Sequence, residues 1–260
     1  MNTSIFAAGE SFDIGCKVVK WDEPNGLSFY NSGKFIKRDV NLEQLQKQIK
    51  ALVFHHTVDY RARITHSTLI ARGLSVNFIV DDDINEDGHA TIYQCLDIKD
   101  GGFSQKTPSY TGCPQNYFNT FGAGIEICLN PVAFQKPDLY SEANQQKYHV
   151  TPHTVIEDHV HGATFKVFAV TEAQTKSLAK LANGYLQLFP NIPGKFPRDA
   201  AGNYNKLYMK DLLSFTGLIN HYNLDKDKVD CMGLDLKAIE DYCTEQAEFK
   251  AKYPFMPKNI

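Results

Sequence analysis

The chain has 260 residues, 43% of them hydrophobic and 22% charged, with a formal net charge of −3. That length suffices for one large domain with its own core, and the lack of a basic block speaks against a nucleic-acid partner. No apolar run approaches the roughly 18 residues of a membrane span, so a membrane is not expected as a partner either. Residues 1–15 lack a basic start and an apolar stretch, so no conventional secretory signal is read there. Six cysteines lie scattered without CxxC spacing, which reads as free, buried thiols rather than a disulfide framework.

In chain order, residues 16–21 and 27–30 flank Asp22-Glu23-Pro24-Asn25-Gly26, whose turn chemistry predicts a hairpin. Asn41 reads as a helix N-cap, with Gln44 three residues on and Leu42, Leu45 and Ile49 at helical spacing. The run Leu52-Val53-Phe54-His55-His56-Thr57 then reads as a buried strand ending in two histidines. A short helix is predicted over 67–72, closed by Gly73, then a strand over 76–80, a solvated acidic turn, and a partner strand over 90–96. Asp81, Asp83 and Asn85 do not make an EF-hand loop, because glycine and glutamate are missing from the sixth and twelfth positions.

Residues 100–120 are rich in Gly, Ser, Pro and Tyr and read as a long surface loop. The following strand, Gly122-Ala123-Gly124-Ile125-Glu126-Ile127-Cys128-Leu129, carries a carboxylate at its middle. Such a group is costly unless paired or facing a cleft, so Glu126 is a site candidate. Residues 130–165 read as a polar insertion with His149, His153, His159 and His161; the last two form a His-x-His pair that would share one face of a strand. Thr171 and Gln174 form a capping box opening an amphipathic helix through Leu188. Residues 212–221 are a second apolar approach to a histidine, His221, and a last helix carries Leu236, Ile239, Tyr242 and Cys243. No repeat, low-complexity tract or linker is visible.

Zinc hydrolases need three protein ligands and an open fourth position. His55 and His221 end the two apolar approaches, and Asp230 or Cys231 supplies a third ligand from the loop that follows. Lys228 is placed to direct a cation at an oxyanion, and Glu126 to take a proton from water.

These residues carry a resemblance. Val53-Phe54-His55-His56-Thr57, the strand pair across the acidic turn ending Thr91-Ile92-Tyr93-Gln94, Gly124-Ile125-Glu126, and His221 followed by Lys228-Val229-Asp230 stand in the order found in zinc-dependent N-acetylmuramoyl-L-alanine amidases. That superfamily includes the phage lysozyme-type amidases and the peptidoglycan recognition proteins. The resemblance spans residues 50–235. It implies Zn2+ held by His55, His221 and Asp230 (Cys231 as the alternative third ligand), with Glu126 as acid/base and Lys228 as transition-state cation. The sequence departs from the family's pattern at Asn77, where many members have His, and at Asp230-Cys231-Met232-Gly233, where the family has Asp-Pro-Gly.

The fold implied is α/β: a central mixed β-sheet flanked by helices, a zinc groove on one side, an N-terminal hairpin and an inserted loop region. Residues 1–40 are expected to be a β-rich extension, 41–250 the catalytic domain and 251–260 a tail. The function implied is hydrolysis of the amide between N-acetylmuramic acid and L-alanine in peptidoglycan or muropeptides; the alternative is a non-catalytic peptidoglycan-binding module. Without a Sec signal, the expectation is a cytoplasmic product that reaches the cell wall through a holin or a contractile secretion system as a lytic effector, or one that recycles muropeptides.

Overall fold

The computed structural model describes residues 2–31, 33–129, 143 and 151–252. Its centre is a six-stranded mixed sheet of order β10-β4-β7-β5-β6-β3. The strands are β3 (Val18–Lys20), β4 (Ala51–His56), β5 (Phe78–Val80), β6 (Ile92–Gln94), β7 (Gly122–Ile127) and β10 (Gly217–Asn220). β10, β4, β7 and β5 run parallel, β6 runs antiparallel to β5, and β3 lies parallel to β6 at the far edge. Near-continuous apolar runs such as Ala51–Phe54 suit strands covered on both faces.

On one face, Leu52, Phe54, Ala123 and Ile125 pack under helices α4 (Glu172–Leu188) and α6 (Leu236–Lys252) in the main core. The other face is covered by α2 (Ala62–Ala71) over Ile79 and Cys128, and by α3 (Tyr117–Phe121) over Ala51, Val53 and Ile219. The expected α/β fold, a central mixed sheet flanked by helices, is therefore the observed one.

Helix starts are where their caps predict. α1 (Leu42–Gln48) opens on Asn41, whose Oδ1 accepts from the Gln44 backbone N–H at 3.0 Å while Gln44 Oε1 accepts from the Asn41 N–H at 3.0 Å. α4 opens on the Thr171–Gln174 box, and Gln174 Nε2 also donates to the carbonyls of Asp81 (3.2 Å) and Cys128 (2.8 Å). One cap residue thus ties α4 to the carboxyl end of the sheet. In the middle of α4, the Tyr185 hydroxyl donates to the Ala51 carbonyl at 2.9 Å at full burial. Tyr185→Phe keeps the ring and removes this bond, and is expected to cost about 1 kcal/mol; urea unfolding would show a lower midpoint at unchanged slope.

Four expectations are corrected. The predicted hairpin over 16–30 does not form. β3 pairs with β6 instead, and residues 22–26 make two successive turns (Glu23 N–H to Lys20 O, 3.1 Å; Gly26 N–H to Glu23 O, 2.8 Å). Leu27 and Phe29 bury as irregular chain in the cluster beneath α2. The real hairpin is β1 (Ser4–Ala7) with β2 (Glu10–Asp13), closed by Ala8 and Gly9 at positive φ (52° and 83°), the conformation a two-residue hairpin turn demands.

Second, 100–120 is a surface loop only in part: Lys106, Ser109, Tyr110, Gly112, Pro114 and Gln115 are exposed, but other positions turn inward. Gln105, Thr107, Thr111 and Asn119 are buried, and polar groups far apart in the segment satisfy one another, as where the Gln105 N–H donates to Asn119 Oδ1 at 2.7 Å. Third, the helix predicted over 67–72 begins five residues earlier, at Ala62, where the N–H is taken by Asp81 Oδ1 at 3.0 Å. Fourth, the acidic turn is not simply solvated: Asp81 and Asp82 are buried, and Asp83 accepts from Thr91.

Of the insertion, residues 151–165 include β8 (Val155–Val160), which pairs with β9 (Ala163–Phe168). The rest of the insertion apart from Ala143, including His149, and the tail beyond Lys252 lie outside the described residues. The six cysteines are free and buried. Ile5, Ala7, Cys16 and Val18 sit in the main core with α4 and the sheet, so the first forty residues share the core of the rest. Among the described residues, no helix is long and apolar enough to cross a membrane.

Candidate active site

Sheet register builds the site. β4 and β7 align His55 with Glu126, and β10 and β4 align Asn220 with Phe54, which puts His221 beside His55 one step past the ladder. Side chains alternate along a strand, so His55 shares the face of Val53, and His221 that of Ile219. Both apolar residues belong to the cluster under α3. Three neighbouring parallel strands thus bring His221, His55 and Glu126 into one row at their carboxyl ends, where an open α/β sheet presents its ligands.

After α5 (His221–Leu224) the chain loops back, and the Tyr222 N–H to Asp230 O bond of 2.7 Å returns Asp230 to the row. His55 Nδ1 and His221 Nδ1 lie 3.0 Å apart, Asp230 Oδ2 is 2.8 Å from His221 Nδ1, and it is 3.5 Å from His55 Nδ1. Among the described residues these three form a cluster able to hold a metal ion. Zinc bonds of about 2.0–2.1 Å in tetrahedral array require donors roughly 3.3 Å apart, which this triangle matches.

Protonation also suits a cation. Burial, reinforced by His221, pushes His55 below the usual histidine value and keeps its ring neutral. Burial alone would raise Asp230, but the neighbouring His221 and His55 outweigh it and hold the carboxyl well below its ordinary range. A neutral imidazole, as at His55, and an ionised carboxylate, as at Asp230, are ligand forms a divalent metal takes. Glu126 behaves oppositely: desolvation raises it to about 7, against the pull of His55 and Lys228.

Lys228 is half-buried on the loop, with a charge that bears on Glu126. Cys231 is fully buried in the main core, its thiol pushed well above the usual value by burial. The structure therefore brings Asp230, not the Cys231 sulfur, into the metal-competent cluster. His56 is outside that cluster, and burial lowers its ring below the usual value. Asn77, fully buried, clamps the sheet: its Nδ2 donates to Asp100 O at 2.8 Å and its Oδ1 accepts from the Gly124 N–H at 3.1 Å.

Two supports were missed in the sequence. Asp225 is fully buried; Tyr110 OH donates to its Oδ1 at 2.5 Å and Lys106 Nζ lies 2.8 Å from its Oδ2. Burial would raise this carboxyl, but Lys106 and Tyr110 bring it to about 2. This clamp fixes residues 106–110 to the start of the Asp230 loop, and it joins residues too far apart in sequence to show a motif.

The second support is the β8–β9 hairpin. His161 is not on a strand face with His159; it sits in the turn at φ 54°, where its Nε2 donates to the Lys228 carbonyl at 2.9 Å. Asp158 Oδ2 accepts from the Gly233 N–H at 3.0 Å, and Val160 and Val167 pack with Tyr222 and Met232. His161→Ala removes this bond and is expected to loosen the segment around Lys228, read as faster backbone amide exchange there with the fold intact by circular dichroism.

Two imidazoles and two carboxyls, the carboxyls shifted in opposite directions, thus meet at the open end of a parallel sheet. The chain matches the N-acetylmuramoyl-L-alanine amidase family (Amidase_2) over residues 45–197, more than half its length, and belongs to that family of enzymes. The matched stretch includes His55 and Glu126 and ends before His221 and Asp230.

Among solved structures it is similar to AmpDh3 from Pseudomonas aeruginosa in complex with anhydromuramic pentapeptide (12% identity, 81% of this chain and 70% of that one, TM-score 0.47). It is also similar to an AmpD derivative (14%, 87% and 93%, TM-score 0.44) and to AmiD from E. coli in complex with anhydro-N-acetylmuramic acid-L-Ala-D-gamma-Glu-L-Lys (15%, 74% and 55%, TM-score 0.34). No curated protein matches it.

Proposed function

We propose that His55, His221 and Asp230 hold a zinc ion and that this centre cleaves the amide joining the lactyl group of N-acetylmuramic acid to L-alanine. The observation that carries the reading is the donor triangle of 2.8, 3.0 and 3.5 Å beside Glu126. When bound, zinc supplies Lewis acidity for the carbonyl and for water. Glu126, raised to about 7, takes a proton from the attacking water and delivers it to the leaving amine. Lys228 faces the negative charge that develops on the carbonyl oxygen. The sheet end orients Glu126, and the loop carrying Lys228 is braced by His161 and by the Asp225 clamp.

Cell-wall peptidoglycan is the proposed substrate, with a lytic role after release through a holin or a contractile secretion system. Digestion of a purified muropeptide, read by mass spectrometry, tests the chemistry: the expected products are a stem peptide with a free L-alanine amine and a sugar with a free lactyl carboxyl. An intact muropeptide, or a cut inside the peptide, overturns it. The same assay on intact sacculi tests the lytic role; soluble muropeptides cut while sacculi are spared would exclude it.

A further inference from the structure

A second cleft, of about 290 Å³, lies at the opposite corner of the sheet, lined by Trp21, Tyr30, Phe35, Lys37 and Lys99 with Asp97 and Asp100 behind them. Trp21 follows β3, the edge strand four places from β4. Strand spacing puts that edge roughly 19 Å from β4. Because β3 runs antiparallel to β4, the carboxyl end of β3 is also at the other end of the sheet from His55. Trp21, Tyr30, Phe35 and Lys37 precede the residues matched to the amidase family.

The aromatic rings pack edge to face, Trp21 on Tyr30 at 5.8 Å and Tyr30 on Phe35 at 5.1 Å between centroids, which holds a rigid, half-buried apolar surface. The two carboxylates are turned inward. Asp97 accepts from the N–H groups of Ala8 (2.8 Å), Gly9 (3.1 Å) and Lys99 (2.8 Å); Asp100 accepts from Tyr30 OH (2.7 Å) and the Arg38 N–H (3.2 Å). The Tyr30 hydroxyl is likewise occupied, accepting from the Asp97 N–H at 3.1 Å. Aromatic surface and the ammonium groups of Lys37 and Lys99, which make no ion pair among the described residues, remain to meet a ligand.

Apolar ring faces stack on the C–H faces of a sugar, and two unpaired cations select an acidic one. Amide hydrolysis at the active site breaks the lactyl C–N bond: the water oxygen stays on the lactyl carbonyl as a carboxylate and protons pass to the L-alanine amine. Each cut therefore turns a neutral lactyl amide into an anion on the glycan. We propose that this cleft binds the peptide-free, carboxylate-bearing glycan strand that the enzyme leaves behind, holding the protein on the strand while the active site works elsewhere on it. The proposal rests on the amidase reading for the identity of the strand.

Trp21 is the single tryptophan of the chain, so its fluorescence reports this cleft. The test is titration of the protein with peptide-free glycan strands and with neutral chitooligosaccharides of equal length, repeated on the Lys37→Ala/Lys99→Ala variant, whose changes fall at an exposed and a half-buried position and remove no ion pair among the described residues. The expected result is a saturable change with the acidic strand, and about tenfold weaker binding for the neutral sugar and for the variant. No change at saturating strand, or equal binding of neutral and acidic sugars, overturns the proposal. Muropeptide hydrolysis measured on the same preparation separates the two readings: hydrolysis without a Trp21 response sinks the cleft alone, and a response without hydrolysis sinks the amidase reading and the enzymatic origin of the strand, leaving acidic-glycan binding at the cleft.

Discussion

Glu126→Gln is expected to lower kcat by about 10²- to 10⁴-fold, the usual worth of a positioned general base, with metal content and KM little changed. The same substitution should stabilise the metal-free protein in alkaline solution. The Glu126 carboxyl is raised in the folded state from 4.5 to about 7, so its ionisation favours unfolding. The folded state holds an advantage below pH 4.5 that is lost as pH rises through about 7. A neutral amide of the same shape removes that penalty, which corresponds to roughly 3 kcal/mol above pH 7, and removes nothing below pH 4.5. Parent activity should climb with pH over the range in which Glu126 becomes able to accept a proton, and the variant should lose that limb. Stopped assays and thermal melts across pH 4–9 read both effects. A variant that loses activity and stability together would mean that Glu126 is a structural residue.

Asp230→Ala is the second large effect. It takes away one of three donors and the one anionic charge among them, so zinc affinity should fall by more than about 100-fold, beyond what loss of an outer partner costs, and hydrolysis should fall to background. Competition with a chromophoric chelator measures the affinity directly. In the metal-free protein the depressed Asp230 carboxyl contributes stability that is present above its unfolded value of about 3.8 and is lost as pH falls through its lower folded value. The variant lacks this contribution, so its acid-unfolding profile should be flatter at the low end. Zinc retained at parent affinity would remove Asp230 from the ligand set.

The parts of this site that could be read in the sequence are those fixed by buried parallel strands. Ala51–Phe54 runs apolar to His55, Gly217–Ile219 runs apolar to Asn220 just before His221, and Glu126 stands out because a carboxylate in Gly122–Ile127 is costly without a partner. Capping boxes at Asn41 and Thr171 are local and were equally plain. What could not be read is non-local. Val18–Lys20 takes whichever sheet edge is free, a property of the assembled sheet rather than of the turn that follows. The burial of residues 105–119 depends on side chains such as Asn119 satisfying distant backbone groups, so polar composition misled. His161 reads as sharing a strand face with His159 because the strand end, one residue earlier, is invisible in the spacing. Asp225 shows its role only beside Lys106 and Tyr110.

The central claim is that His55, His221 and Asp230 form a zinc centre, and metal content tests it most directly. Elemental analysis of the purified parent should give close to one zinc per chain, and both His55→Ala and His221→Ala should lose it while remaining folded by circular dichroism. A parent that takes up no zinc after reconstitution, or variants that keep it, would contradict the account.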